Sequence, residues 1–270
     1  MKPLNEQTIL ITGATDGLGR ALAQELSDSG ATVLAHGRSE ERLREAPGAR
    51  KYVADLASLA DVNAMADELL EREQTIDALV DNAGIGTVNL SGDEGRMESR
   101  DGYELRFQVN YLSHYLLTRR LLPLIVASSP ARIVNVSSGG QMPIDFDDPM
   151  LEHGYDGIRA YCQSKLAQVL FTFDLAEELE QNDVTANCLH PATFMPTKMV
   201  FAARGSATST LEEGVEATLR LVADESLDGV SGRYFNGTRE SRADAQAYDT
   251  DARAELRELS EGLIASALHA

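Results

Sequence analysis

The stretch from Thr8 to Gly19 constrains the fold of this chain more than any other. Thr8-Ile9-Leu10-Ile11 is a short apolar run that meets glycine at once, the pattern of a strand buried on both faces. Thr12-Gly13-Ala14-Thr15-Asp16-Gly17-Leu18-Gly19-Arg20 follows and opens a helical repeat through Leu18, Ala21, Leu22 and Leu26. A second apolar run at 30–36 completes a strand–helix–strand unit of ordinary size. Gly13 suits a tight turn, and Gly17 and Gly19 remove side chains where backbone approaches a ligand or the sheet. The free N–H groups at the N-terminus of such a helix form a site for a pyrophosphate.

The alternation continues along the chain. A helix is expected over 40–46, a strand over 51–54 ending at Asp55, a helix over 59–71, and a strand over 76–80 running into Asp81-Asn82-Ala83-Gly84. A polar loop at 91–100 leads into an apolar helix through Leu105, Val109, Leu112, Leu116 and Leu117. Strands at 132–136 and 184–190 flank a helix around Tyr161, and Pro191 stops the second of them. A helix over 211–223 and a short strand at 233–235 precede a polar tail, 238–270, with a helix-like segment over 252–268. No repeat or linker divides the chain. The expected architecture is therefore one α/β domain, 1–270, on a doubly wound parallel sheet. A loop or lid at 141–157 and a substrate lid at 193–210 are expected to cover one edge.

Composition narrows the function classes. The formal net charge of -19 argues against nucleic acid and against an anionic membrane surface, both of which call for a basic footprint. Cys162 and Cys188, the only cysteines, do not make a disulfide framework. The polar N-terminus carries no signal core, and the longest apolar stretch, 121–127, is too short to cross a bilayer. A reduced, cytoplasmic setting is the expectation, and no metal-ligating set is assigned.

Two further patterns bear on chemistry. A site selecting NAD places an acid at the end of the second strand, whereas an Arg accommodates a 2′-phosphate. Here Gly37 and Arg38 occupy that end and acid arrives only at Glu40, which favours NADP(H) over NAD(H), with Asp16 counting slightly against a phosphate nearby. Tyr161 and Lys165 lie four apart in a helical run, hence on one face. A fixed ammonium favours the phenolate, so the pair supplies an acid/base usable near neutrality. Tyr155 and Arg159 form a decoy pair, because Arg cannot be tuned as Lys can.

Thr-Gly-x-x-x-Gly-x-Gly at 12–19, Asn-Ala-Gly at 82–84, Asn110, Ser138 and Tyr161-x-x-x-Lys165 together resemble the short-chain dehydrogenase/reductase family, in its retinol-dehydrogenase-like branch and on a Rossmann fold. The resemblance spans about 8–237. It implies that Gly13, Gly17 and Gly19 line the pyrophosphate, with Thr15, Asp16 and Leu18 beside them. It places Arg38 at the ribose phosphate, Asp55 and Leu56 at the adenine, and Asn82, Ala83 and Gly84 beside the cofactor. Tyr161 would exchange a proton with a carbonyl oxygen that Ser138, rather than Ser137, also holds. Lys165 would lower the Tyr161 pKa and hold the nicotinamide ribose, and Asn110 would break its helix and hold a water linked to Lys165. Pro191, Thr193 and Thr197 would meet the nicotinamide amide. The chain departs from the family's Pro-Gly here with Pro191-Ala192, and Thr197 comes one residue late. The activity implied is hydride transfer between NADP(H) and a carbonyl or alcohol, in a homodimer or homotetramer built on the helices of Asn110 and Tyr161. An NADP-binding sensor or scaffold is the alternative, and a sugar-nucleotide epimerase fits the glycine spacing poorly. Met142, Pro143, Ile144, Phe146, Phe194, Met195, Met199 and Phe201 suggest an apolar lid or loops packed on the core.

Overall fold

The computed structural model of the protein describes residues 1–88 and 95–269. Its strands are β1 (Thr8–Ile11), β2 (Thr32–Gly37), β3 (Arg50–Val53), β4 (Ala78–Asp81), β5 (Ala131–Val136), β6 (Val184–His190), β7 (Arg233–Asn236) and β8 (Arg239–Ser241). They form one sheet in the order β3-β2-β1-β4-β5-β6-β7-β8. All pairings are parallel except β7 with β8. The chain winds outward through β1, β2 and β3, then returns to β4 and winds the other way. The order therefore reverses between β1 and β4, and the carboxyl ends of those strands bound a crevice.

The helices are α1 (Gly17–Asp28), α2 (Glu40–Arg44), α3 (Leu59–Arg72), α4 (Leu105–Phe107), α5 (Ser113–Ala127), α6 (Gly157–Glu178), α7 (Lys198–Arg204), α8 (Leu211–Ala223) and α9 (Thr250–His269). Successive side chains of a strand point to opposite faces, so each apolar run feeds two layers. Leu10, Leu34, Leu79 and Ile133 face a core built with α3, α5, α6 and α9. Ile9, Ile11, Val33, Val80 and Val134 face a second one built with α1, α2 and α8. Side-chain caps at Asp16, Ser39, Ser58, Asp156, Thr197 and Thr210 set the helix starts by accepting from free N–H groups of the first turn.

The helix entering at Leu105 is interrupted at Asn110, as the resemblance implies, by a π turn, Gln108–Leu112. Elsewhere the structure departs from the expected elements in three places. Within 238–270, β8 extends the sheet, and the helix-like segment is α9, which packs its Leu256, Leu259 and Leu263 side against the core next to α6 and α3. Its apolar residues are too sparse to mark a buried helix until Tyr111, Tyr115 and Phe171 are in place to receive them. The segment 193–210 contains α7, too short to stand out by period. Within 141–157, Ile144 and Leu151 are buried, and Gln246 brackets Ile144 by accepting from its N–H (2.7 Å) and donating to its carbonyl (3.1 Å). The first part of the loop expected at 91–100, residues 91–94, lies outside the described residues. Among the described residues no helix is long and apolar enough to cross a membrane.

Candidate active site

The glycine loop is clamped to the sheet before any ligand is considered. Gly13 and Gly17 have φ of 70° and 49°, a left-handed backbone that glycine adopts without strain. Gly19 meets a different demand. A Cβ there would lie 2.4 Å from both Nδ2 of Asn82 and the carbonyl oxygen of Gly13. Asn82 donates to the Thr12 carbonyl (2.8 Å), while the backbone N–H groups of Asn82 and Ala83 donate to the Thr12 hydroxyl (2.9 and 3.0 Å). Buried His36 accepts from the Gly13 N–H at 3.3 Å, and burial pushes its pKa down to about 4, so it stays neutral in that role. The result is an α1 N-terminus fixed at the β1–β4 crevice. A dinucleotide's phosphates fit that cradle.

Around the loop, Asp16 caps α1 and is flanked by Arg42 (2.8 Å) and Lys198 (2.7 Å). Arg42 also donates to the Thr15 carbonyl. Leu18 turns into the second core. Arg38 is exposed just beyond β2, with no carboxylate at the strand end. Asp55 accepts from the Ala57 N–H and pairs with Arg100 at 3.3 Å. Leu56 is buried in the main core, and its carbonyl is held by Ser113 at 2.6 Å.

The second cluster assembles at the carboxyl end of β5. Asp156 caps α6, which places Tyr161 in its second turn and Lys165 one turn further. Ser137 donates to the Lys165 carbonyl at 2.7 Å and so ties strand to helix. Ser138 turns the other way: its hydroxyl accepts from the Gly140 N–H at 3.0 Å, and a Cβ built on Gly140 would lie 3.6 Å from Ser138 Oγ and 3.8 Å from Cε1 of the Tyr161 ring. The Ser138 carbonyl is pinned by Tyr234 (3.0 Å) and Gln141 (2.9 Å), two positioning contacts that no local sequence pattern announces.

Lys165 is 4% exposed. Its Nζ donates to the Val136 carbonyl (2.9 Å) and to Oε1 of Gln168 (2.8 Å), and burial pulls its pKa down to about 7. The electrostatics at Tyr161 differ from the expectation. Burial raises its pKa, and the Ser138 hydroxyl opposes the rise.

Asn110 is fully buried in the π turn. Its Oδ1 accepts from the Ile85 N–H (2.8 Å), and its Nδ2 donates to the Ile85 carbonyl (3.1 Å) and the Ser164 hydroxyl (2.9 Å). It joins the Asn82-Ala83-Gly84 turn to α6 next to Lys165. A Cβ on Gly84 would lie 3.1 Å from Oδ1 of Asn110 and 3.5 Å from Nζ of Lys165.

The far wall comes from the segment after β6. Pro191 is buried, Thr193 meets His190 at 3.0 Å, and Thr197 caps α7 within 3.2 Å of a Cβ built on Gly17. Met199 packs on Gly86 and Met195 on Gly214, while Met142, Phe194 and Phe201 stay exposed. Tyr155, the decoy, is held by Arg106 and Glu104, and Arg159 pairs with Asp145. Both are engaged away from Ser138.

Comparison with known proteins agrees with this geometry. The profile of the short chain dehydrogenase family matches residues 7–206. Human retinol dehydrogenase 14 is 35% identical over 298 residues, covering 97% of this chain and 87% of the relative. Mouse retinol dehydrogenase 13 is 34% identical, covering 91% and 80%. Among solved structures, an uncharacterized protein from Mycobacterium paratuberculosis superposes with a TM-score of 0.77 at 29% identity, covering 96% of this chain and 93% of that one. A short chain dehydrogenase from Shigella flexneri, solved with NADP, gives 0.69 at 26% identity, covering 87% and 98%. A single-domain Rossmann sheet, a matched family profile and relatives aligned over nearly the whole chain lead to one conclusion: the chain belongs to the short-chain dehydrogenase family, in its retinol-dehydrogenase-like branch, and is an NAD(P)-dependent oxidoreductase acting on alcohol or carbonyl groups.

Proposed function

We propose that the protein transfers a hydride between NADP(H) and an apolar alcohol, aldehyde or ketone, with Tyr161 exchanging the proton. The observation that carries this reading is the approach of the Ser138 hydroxyl and the Tyr161 ring to the same point, Gly140, just beyond the end of β5. A substrate oxygen between them would be held by two O–H groups, placed where negative charge develops. The nicotinamide, when bound, supplies or takes up the hydride. Lys165, carried near neutrality by burial, gains an ammonium as pH falls, and that charge favours the phenolate. Asn110 fixes the 84–86 turn against α6, so the cofactor side and the proton side of the site share one rigid support.

Several features favour NADP(H). Arg38 stands exposed where an NAD site would carry an acid. The one carboxylate in the glycine loop, Asp16, is offset by Arg42 and Lys198, which removes the objection it raised to a nearby phosphate. Structural relatives were solved with NADP and NADPH. Relatives named retinol dehydrogenases and the exposed Met142, Phe194 and Phe201 favour an apolar substrate, with the 193–210 segment as its cover. A homo-oligomer and a cytoplasmic setting belong to the same reading.

The test is oxidation of NADPH or NADH by purified protein with a panel of apolar aldehydes and ketones. Carbonyl-dependent oxidation with NADPH preferred is expected. Cofactor binding without oxidation across the panel would instead support the sensor or scaffold reading.

A further inference from the structure

Asp81 ends β4, next to Asn82, yet the site described above does not use it. It is fully buried, as is its register partner Asn135 on β5. Both side chains rise on the face covered by α5 and α6. Thr118 of α5 donates to Oδ2 of Asp81 at 2.9 Å, and Nδ2 of Asn135 donates to the hydroxyl of Thr172 on α6 at 3.0 Å. That accounts for one polar atom of each. The others, Oδ1 of Asp81 and Oδ1 of Asn135, have no hydrogen-bond partner among the described residues.

The orientation of the amide is set by proton supply. Thr172 spends its only hydroxyl proton on the Gln168 carbonyl at 2.6 Å, so its oxygen must accept, and the donor side of Asn135 must face it. Oδ1 of Asn135 is thereby turned away from Thr172. Register partners on strands about 4.8 Å apart stand side by side. Two bare acceptors in that position each carry an uncompensated desolvation cost, and a single proton between them turns the pair into a hydrogen bond.

We propose that Asp81 stands in the folded protein as the neutral acid, its hydroxyl donating to Oδ1 of Asn135, and that it positions Lys165. Thr118 occupies Oδ2, which leaves Oδ1 as the protonated oxygen. From Asn135 the bonds run through Thr172 to the Gln168 carbonyl, and Gln168 and Val136, the residue after Asn135, supply both acceptors of the Lys165 ammonium. The chain of contacts therefore fixes the strand end and the helical turn from which Lys165 hangs.

Of the titratable groups on the covering helices, His114 of α5 is driven to about 3 by burial and is neutral, and Lys165 of α6 donates to Val136 and Gln168. Arg119, Arg120, Arg159, Asp174, Glu177 and Glu178 of the same helices are ion-paired with other residues. Burial pushes Asp81 up to about 8, with the Thr118 hydroxyl opposing it.

Asp81→Asn is the test, because an amide can donate to Asn135 and accept from Thr118 without a proton to lose. The folded wild type keeps a proton that the unfolded chain gives up between the ordinary 3.8 and about 8. Wild-type stability must therefore fall through that window relative to the variant, then run parallel above it. The expected result is a Tm difference, variant minus wild type, that widens steadily from about pH 5 to about pH 8. Parallel Tm curves across the window would mean an ionised Asp81 with the Asn135 amide reversed, and would overturn the protonation claim. This readout needs no turnover, so it is independent of the proposed reaction. For the positioning claim, Asp81→Leu should lower kcat roughly tenfold with little change in KM, as expected of a displaced catalytic side chain, while Asp81→Asn restores it. Equal loss of kcat in both variants would overturn positioning through the hydrogen-bond chain.

Discussion

Asn110→Ala probes the point where the two halves of the site are joined. The side chain is fully buried and makes three hydrogen bonds, two to Ile85 and one to Ser164. A net contribution of about 0.5–1.5 kcal/mol for each bond, with Ile85 left short of partners, gives a loss of about 2–4 kcal/mol. Removing the side chain also removes the hydrogen bonds that favour the π turn over regular α-helix at 108–112. Urea or guanidinium unfolding measures the stability term, and NADPH titration measures the second consequence, weaker binding once the 84–86 turn loosens. A stability loss under about 0.5 kcal/mol, the size of an ordinary surface change, would refute the reasoning. So would unaltered cofactor affinity.

Two further outcomes follow from the electrostatics. Arg38→Ala should weaken NADPH binding about tenfold or more while leaving NADH nearly unchanged, the scale of a single charge-assisted hydrogen bond; isothermal titration with both cofactors decides it, and equal weakening of the two would remove Arg38 from the phosphate. Burial lowers Lys165 from 10.5 to about 7, so between those values the unfolded chain binds a proton that the folded one lacks and stability rises with pH. Lys165→Met should flatten that rise in thermal unfolding at fixed ionic strength, and an unchanged slope would contradict the assignment.

What is legible in the sequence is what short-range pattern can carry. Gly13, Gly17 and Gly19 announce a turn because no other residue fits their φ values or the 2.4 Å approach at Gly19. Tyr161 and Lys165 announce a shared helix face by spacing alone. Family position prefers Ser138 to Ser137; the Ser137 hydroxyl donates to the Lys165 carbonyl. What stays hidden depends on residues far apart in the chain. Thr12 meets Asn82 and His114; Tyr234 reaches Ser138 from β7; α9 finds its apolar seat only on folded α5 and α6. His114 leaves a faint signal, a polar residue four after Asn110 on an apolar helix, whose ring accordingly meets the Asn110 carbonyl at 3.0 Å. The direction of the Tyr161 shift is hidden for the same reason. Spacing shows that an ammonium is near but not how deeply the phenol is buried, and burial dominates.

The most direct test is single-turnover hydride transfer in Tyr161→Phe, with NADPH affinity measured on the same protein. A loss of roughly 10²–10⁴-fold in rate, the range for a missing general acid, with affinity kept within about twofold, is the predicted result. A rate within a few-fold of wild type would contradict the account, because the proton would then reach the substrate by another route.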